Sequence, residues 1–430
     1  MRKHILFALA CFYAMTLSAV ERVSLEQLQA DWNRYKGQFV QITSPLVVCG
    51  SFYDSLILAP ERFYCPEERA VGLAEGDSTV YRQIEEANRA ASIVVHCRNN
   101  YYNVRTGDRV RSVSARVTSE RHLVSGQGVK TRHTSQPRLP HKTKEEMRVV
   151  GANIENYFAD LGGYATKRTT PEQQALKTRK LVKAIRGMHA DLIACCEMQV
   201  GHKAPEMLLA TLNKGRKHYA YVSMPMPDID RIGGCFLYRT DRVRPIETPL
   251  SAYADTTSHY YARMFAQGFE QLDKKGRSTG KKFIVSLNHF KSKRPGRGNY
   301  DTNLKRLDNA DSLLAMLPKA VELFGDSDLL LLGDYNCYTR ESPIQAIVHA
   351  GYDDQLMRFC PNDYSYVFKG EMGFLDRCFT NPSMGTQIIR VVPWHVNADW
   401  YYQHGAYKMK DKSLHRYADH EPIIVDIKLK

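Results

Sequence analysis

Polar residues that could bind a metal ion or move a proton stand at or near one end of six apolar runs. They are Asn153, Glu197, His289, Asp334 with Asn336, Asp376, and Asp419 with His420. Taken singly, an Asp or Asn that closes a strand is explained by turn chemistry. Six such positions in series, all useful to phosphate chemistry, favour a shared site at one rim of a sheet.

Cleavage of a phosphodiester needs a hard cation, a proton carrier near neutral pH and positive charge around the phosphate. Carboxylate and amide oxygens suit Mg²⁺, with Mn²⁺ or Ca²⁺ as alternatives, and histidine supplies the proton transfer. A basic run, "HFKSKRPGRGNY", begins at His289. Such a loop could follow a phosphate backbone with Tyr300 stacked on a base, or it could be a solvated loop.

The elements that must position these residues alternate between strands and helices after residue 146. The predicted strands are "MRVVGANI", "DLIACCEM", "GCFLYR", "KKFIVSLNHF", "DLLLLGDYN", "GFLDRCFT", "QIIRVVPW" and "EPIIVDIKL". Two helices are predicted: Pro171 to Met188 with Thr170 as N-cap, and Thr302 to Phe324 with Leu304, Leu307, Ala310, Leu313 and Leu314 on one face. Strands this apolar are covered on both sides, which predicts a layered α/β sandwich.

The same segments carry a resemblance to a known family. In the family's order they read "VVGANIENYF", "DLIACCEMQ", "DIDRIGGCFLYR", "VSLNHFKSK", "LLLGDYNCY", "SYVFKGEMGFLDR" and "ADHEPIIVDI". From about Met147 to Asp426 the chain resembles the endonuclease/exonuclease/phosphatase superfamily and, within it, the bacterial extracellular nucleases. The resemblance implies the four-layered α/β sandwich of that superfamily.

The resemblance also implies a role for each site residue. Glu197 would bind the metal with Asn153 and Asp419; Asp334 and Asn336 would hold the attacking water and the phosphate. His289 and His420 would flank the phosphate as acid, base and electrophilic partners, with Asp376 orienting His420 and Asp230 orienting His289. Arg263, Lys291 and Lys293 would contact phosphate oxygens. The chain departs from the nuclease pattern at three places. Arg377 stands where His is usual, Ala418 stands where Ser is common, and the prolines that often follow the phosphate-contacting arginine are missing after Arg263. Arg377 could add a phosphate contact or indicate another substrate.

The region before residue 147 has its own organisation. Residues 1–19 are predicted to be a cleaved signal peptide, because Arg2 and Lys3 precede a short apolar run that ends at small residues; a buried first helix and a lipoprotein anchored at Cys11 are the alternatives. Residues 20–126 contain several short β-like runs without amphipathic helices of any length, which predicts a small β-barrel, and 127–146 are predicted to be a linker. In "VRTGDRVRSVSARV" the barrel also resembles the OB-like accessory region that precedes the catalytic domain of the bacterial extracellular nucleases. Residues 147–430 would then be the catalytic domain.

The net charge bears on the partner of the protein, and the positions of the cysteines bear on its redox compartment. Lys plus Arg is 60 against 46 Asp plus Glu, a net charge of +14, which favours a polyanionic partner. Cys195, Cys196, Cys235, Cys337 and Cys378 lie in or beside apolar runs and are expected to be buried thiols. One disulfide among Cys49, Cys65 and Cys97 is expected in an oxidising compartment.

The sequence therefore predicts a secreted or periplasmic, metal-dependent nuclease acting on DNA, with RNA also open, and without a stable membrane association or an obligatory protein partner. The first alternative is a phosphodiesterase of the same fold acting on a phospholipid headgroup. A second is a polyanion-binding protein that has lost activity, which the intact set of acids, amides and histidines disfavours. The N-terminal barrel would add nucleic-acid contacts or be purely structural.

Overall fold

The computed structural model describes residues 20–52, 54–97, 104–134, 138–144, 146–163, 166–215, 218–225, 231–252, 263–294, 302–400 and 411–430. The predicted signal peptide at 1–19, Asp230 and Tyr300 lie outside this set. Among the residues described, no helix is long and apolar enough to cross a membrane. The chain divides into two compact units, the smaller from 1–62 and 88–134 and the larger from 63–87 and 135–430.

The described residues among the first 134 form short strands and four helices. In chain order they are β1 (Glu21–Val23), α1 (Leu25–Ala30), α2 (Trp32–Tyr35), β2 (Phe39–Ile42), β3 (Val47–Phe52), β4 (Ser55–Ala59), β5 (Phe63–Tyr64), α3 (Pro66–Arg69), a 3₁₀ turn (Leu73–Glu75), α4 (Thr79–Ala91), β6 (Ile93–His96), β7 (Arg109–Ser119), β8 (His122–Val124) and β9 (Lys130–Arg132). The 13-residue helix α4 corrects the expectation that this region has no amphipathic helix of any length.

The smaller unit is a β-sheet in the order β1-β2-β7-β3-β4-β6-β8, with β9 also on β7. Strands β1 and β2 pair in parallel. Strand β8, the last in this order, also pairs with β7, the third, so one part of the sheet curls back on itself. Alternate residues such as Val113, Ala115 and Val117 point to its core. Part of the predicted linker at 127–146 belongs to this sheet as β9.

The larger unit continues with fourteen strands and six helices among its described residues. They are β10 (Met147–Tyr157), α5 (Pro171–Met188), β11 (Leu192–Gln199), α6 (Lys203–Leu212), β12 (Tyr219–Ser223), β13 (Ile232–Arg239), β14 (Val243–Ser251), β15 (Arg263–Leu272), β16 (Ser278–His289), α7 (Thr302–Phe324), β17 (Leu329–Asp334), α8 (Ser342–His349), β18 (Asp353–Asp354), α9 (Gln355–Phe359), β19 (Tyr366–Phe368), β20 (Glu371–Gly373), β21 (Asp376–Thr380), α10 (Pro382–Gly385), β22 (Ile388–Pro393) and β23 (Ile423–Ile427).

Two six-stranded sheets form the centre of this unit. One has the order β12-β13-β11-β10-β23-β22, the other β14-β15-β16-β17-β21-β18, and a small third sheet is β19-β20-β5. One apolar cluster lies between the two large sheets. A second joins the first sheet to α5 and α6, and a third joins the second sheet to α7 and α8. The layers are thus helix, sheet, sheet and helix, a mixed α/β architecture as predicted.

The two predicted helices are present with the predicted bounds. Thr170 caps α5 as expected: its hydroxyl accepts from the Gln173 backbone N–H, and the Gln173 side chain accepts from the Thr170 N–H. For α7 the predicted apolar face needs correction, since Leu304 is 58% exposed. Ala310 and Leu313 of the predicted face are buried as expected, and Arg306 and Leu317 are buried with them.

All nine cysteines in the described part of the chain are free thiols. The expected disulfide among Cys49, Cys65 and Cys97 is therefore wrong, because these three lie buried as separate side chains. The five cysteines of the apolar runs are buried, as predicted.

Candidate active site

Four of the predicted site residues lie in one row across the second large sheet. The register pairs Arg263 with His289, His289 with Asp334, and Asp334 with Asp376. Neighbouring strands are about 4.8 Å apart, so a cation, an imidazole and two carboxylates are brought together by strand pairing alone.

The first large sheet contributes Asn153 and Glu197 to the same place. The Asn153 amide donates to Glu197 Oε1 at 3.1 Å and to Asp334 Oδ2 at 3.1 Å, so it joins the two sheets. Glu197 has a φ of +61° at a register shift in β11, a conformation that costs energy in a non-glycine residue. The Asn156 backbone N–H donates to Glu197 Oε2 at 3.0 Å and fixes this carboxylate.

Both predicted catalytic histidines approach the same carboxylate oxygen. His289 Nε2 lies 3.9 Å from Asp334 Oδ2 and 3.8 Å from Glu197 Oε1. His420 Nε2 also lies 3.9 Å from Asp334 Oδ2, and its Nδ1 is 2.8 Å from Asp376 Oδ2. The ring of Tyr366 packs against His420 at a tilt of 31°, with the ring centroids 4.6 Å apart. The predicted orientation of His420 by Asp376 has the geometry it requires.

The loop after β17 holds Asp334 and Asn336. Asp334 Oδ1 accepts from the Asn336 backbone N–H at 2.8 Å, and the Asn336 amide donates to Asp334 Oδ2 at 3.2 Å. Gly333 precedes them with a φ of +138°, and a Cβ there would lie 1.9 Å from the Asn288 carbonyl oxygen. Only glycine allows this close approach of β16 and β17.

Electrostatics separate the two histidines. Burial, reinforced by Arg263 and His420, lowers the pKa of His289 well below its usual value. Burial also opposes charge on His420, but the carboxylates of Asp376 and Asp334 outweigh it and raise the pKa of His420 well above its usual value. Burial raises the pKa of Asp334 to about 7, with Asp376 adding to the rise. Neutral His289 and protonated His420 thus flank one carboxyl group.

Asp419 lies beside this cluster in a second group of charges. Burial tends to raise the pKa of Asp419, but His420 and Arg416 outweigh it and hold that pKa below its usual value. Burial and Asp419 raise the pKa of Glu155, and Lys177 donates from Nζ to the Glu155 carbonyl oxygen. Glu155, Lys177 and Arg416 were not predicted from the sequence. Two of them were within reach of a motif: Glu155 lies inside "GANIENYF", and Arg416 precedes Asp419 by three residues. Lys177 lies in no motif.

The carboxylate after His420 fixes the chain around that histidine. Glu421 accepts backbone hydrogen bonds from residues 396, 397 and 398 at 2.7, 2.8 and 2.9 Å. The Asn397 amide then donates to the His420 carbonyl oxygen at 2.7 Å. This second tier of contacts was also missed, because Glu421 and Asn397 are far apart in sequence.

The predicted phosphate contacts are only partly assembled. Arg263 lies in the row beside His289, whereas Lys291 Nζ donates to backbone and hydroxyl oxygens of Ser292. Lys293 is turned away: its Nζ lies 2.6 Å from Glu341 Oε2 and 3.8 Å from Glu67 Oε1. The ion pair, formed with residues remote in sequence, holds Lys293 outside the cluster.

Arg377 is a fully buried side chain and does not offer a phosphate contact. Its guanidinium lies 3.0 Å from Asp354 Oδ2 and 3.7 Å from Glu68 Oε2, and donates to Thr339 Oγ1 at 2.9 Å. These partners account for arginine at this position, where the resemblance implied histidine. The guanidinium neutralises the buried carboxylates of Asp354 and Glu68.

The donors fit a divalent cation. Glu197, His289 and Asp334 each present a ligand atom within 4.8 Å of the other two. Burial and the nearby Asp419 carboxylate raise the pKa of Glu197, and a cation would relieve the repulsion between these carboxylates. Oxygen-rich donors of this kind suit Mg²⁺, Mn²⁺ or Ca²⁺.

Comparisons with known proteins give structural neighbours. No family model and no curated protein matches the chain. Similar solved structures include an endonuclease/exonuclease/phosphatase family protein from Bacteroides thetaiotaomicron (16% identity, 66% of this chain and 97% of that one, TM-score 0.45) and one from Bacteroides vulgatus (16%, 67% and 100%, 0.46). A mannosyl-6-phosphatase from Bacteroides thetaiotaomicron is similar at 16% identity over 65% of this chain and 98% of that one, with a TM-score of 0.45. At these values the likeness assigns neither substrate nor reaction to this chain.

Proposed function

We propose that this protein is a divalent-metal-dependent phosphodiesterase. The observation that carries the proposal is the pair of buried imidazoles with opposite pKa shifts on either side of Asp334, next to Glu197. An acid and a base that act at the same pH need different pKa values, and the surroundings of these two histidines supply that difference.

Each residue has a task in the hydrolysis. Glu197 belongs to the group of close donors and would hold the cation, with Asn153 and Asp419 as its partners on the grounds of the family resemblance. When bound, the cation would supply charge neutralisation at the phosphate. Asp334 and Asn336 orient the attacking water, and neutral His289 takes its proton as the water oxygen attacks phosphorus. His420, oriented by Asp376, gives a proton to the departing oxygen as the P–O bond breaks.

The remaining cations bind the phosphate oxygens. Arg263, which pairs in register with His289, faces the phosphate from the second sheet, and Lys291 adds positive charge nearby. Lys293, held by its ion pair, has no part in this arrangement. Asp230 stays a proposed partner of His289 on sequence grounds alone.

Nucleic acid is the proposed substrate, DNA before RNA. The net charge of +14 supports a polyanion. We further propose that residues 1–19 direct export and are removed, and that the smaller unit is an OB-like accessory domain that adds contacts to the nucleic acid. A phospholipid headgroup would use the same catalytic residues, so only a substrate assay separates the two.

The test is cleavage of supercoiled plasmid by the purified mature chain with Mg²⁺ or with EDTA. Glu197→Ala and His289→Ala are compared with Lys275→Ala, an exposed residue in the turn after β15. Metal-dependent nicking that is lost in the first two variants and kept in the third supports the proposal. If wild type cuts no nucleic acid with Mg²⁺, Mn²⁺ or Ca²⁺ but releases phosphocholine from sphingomyelin vesicles, the lipid alternative replaces it.

A further inference from the structure

A basic cavity lies between helix α5 and the segment that begins at residue 411. It encloses about 510 Å³, and the residues that matter here are Arg179, Lys180, Lys183, Asp411, Lys412 and Ser413. The cluster residues of the proposed active site are not among those that line it.

The single carboxylate of this cavity is already neutralised. Buried Lys180 places Nζ 2.5 Å from Asp411 Oδ2 and donates to the His415 carbonyl oxygen at 2.7 Å. The Ser413 hydroxyl donates to the same Asp411 oxygen at 2.8 Å. Four cations and one carboxylate line the cavity, so three positive charges are left uncompensated within it.

Those three charges belong to exposed side chains. Arg179, Lys183 and Lys412 are solvent-exposed, and Lys183 donates from Nζ to the Lys412 carbonyl oxygen, which ties the helix to the segment. Arg179 and Lys183 are four residues apart and therefore share a face of α5. A concave site with clustered lysine and arginine is suited to a phosphate group.

Two chain segments connect the cavity to the active site. Lys177, which contacts Glu155 beside Asp419, precedes Lys183 by six residues on α5, a rise of about 9 Å along the helix. The segment from Asp411 leads in eight residues to Asp419.

We propose that this cavity binds a backbone phosphate of the nucleic-acid substrate other than the phosphate that is cleaved. The inference rests on the proposed nuclease function and deepens it. A nucleic-acid strand has further phosphates beside the one that is cleaved, so the cavity would favour strands over dinucleotides and over lipid headgroups with a single phosphate.

The variant that tests it is Arg179→Ala/Lys183→Ala in the full mature chain. Its matched control is Lys274→Ala/Lys275→Ala, which removes two charges from the exposed turn between β15 and β16. That turn lies at the opposite end of both strands from Arg263 and His289, about 35 Å away at 3.3 Å per residue. Thermal melts of both variants establish that they fold.

Two readouts are compared with wild type. In EDTA, anisotropy of a labelled 12-nucleotide DNA strand should show at least tenfold weaker binding at 50 mM salt, and a slope of log K against log salt shallower by about 1.4 for two lost contacts. With Mg²⁺, the ratio of kcat/KM on the 12-mer to that on a dinucleotide should fall at least tenfold.

Each result decides between distinct conclusions. If wild type cleaves the 12-mer and the cavity variant matches it in both readouts, the cavity is not a phosphate subsite although the nuclease function stands. An equal loss in the turn variant would show that general charge, not the cavity, governs binding and would also overturn the inference. If wild type neither binds nor cleaves the strand, the nuclease function itself fails.

Discussion

Replacing Asp376 by Asn isolates the role of one carboxylate in the proposed mechanism. The substitution keeps the size of the side chain and removes its charge. Asp376 Oδ2 contacts His420 Nδ1 at 2.8 Å, and its Oδ1 has no hydrogen-bond partner among the described residues. The His420 contact is thus the principal side-chain interaction that the change alters.

The magnitude follows from the character of that contact. A hydrogen bond between charged, buried groups contributes roughly 1.5–3 kcal/mol. At about 1.36 kcal/mol for each factor of ten in rate, kcat/KM should fall about 10- to 150-fold. Loss of the Asp376 charge also removes a main cause of the raised pKa of His420, so the pH at which His420 loses its proton should fall.

The assay is the pH dependence of kcat/KM on a defined DNA strand with saturating Mg²⁺. The variant should lose activity at all pH values, and the alkaline limb of its profile should move to lower pH. A thermal melt within a few degrees of wild type controls for folding. A loss of less than threefold with an unchanged profile would refute the assignment of Asp376 as the residue that orients and charges His420.

Two further predictions concern stability. Burial opposes charge on His395, but a hydrogen bond to Asp363 and the nearby carboxylate of Glu421 raise the pKa of His395 to about 10. Its contribution to stability is therefore complete below pH 6.5 and lost as the pH rises to 10. Urea unfolding of wild type should therefore show a fall of at most about 5 kcal/mol from this group between pH 6.5 and 10, and His395→Gln should show a smaller fall; equal falls would contradict this. Gly333→Ala should lower the free energy of unfolding by about 2–5 kcal/mol through backbone strain and a clash with the neighbouring strand. The control Gly276→Ala, where a Cβ would have nothing within 4 Å, should cost only about 1 kcal/mol. Similar urea midpoints for the two variants would refute the argument that β16 and β17 approach too closely for a side chain.

Local sequence determined the elements and the end of each strand at which chemistry occurs. Apolar runs such as "DLLLLGDYN" became buried strands because burial of both faces needs little more than a continuous apolar segment. Thr170 and Pro171 placed the start of α5 because capping is decided within four residues. The polar residues after these runs then converged, since strand pairing puts strand ends on common rims.

Tertiary structure alone decided what each charged side chain meets. Lys293 and Arg377 have sequence neighbours that suggest a phosphate contact, yet their partners are Glu341 and Asp354 in other elements, with Glu67 and Glu68 contributed by a segment more than 200 residues earlier. Long-range ion pairs leave no local pattern, because charge complementarity can be met by any carboxylate that the fold brings near.

The opposite protonation preferences of the two histidines were likewise beyond the sequence. His289 and His420 have the same intrinsic chemistry, and each follows or precedes an apolar strand. Burial beside Arg263 disfavours charge on His289, whereas two carboxylates stabilise charge on His420. The sequence therefore determined which residues could do the chemistry, and the packing of the two sheets decided which role each can take, because a pKa depends on the charges and solvent that surround a group in space.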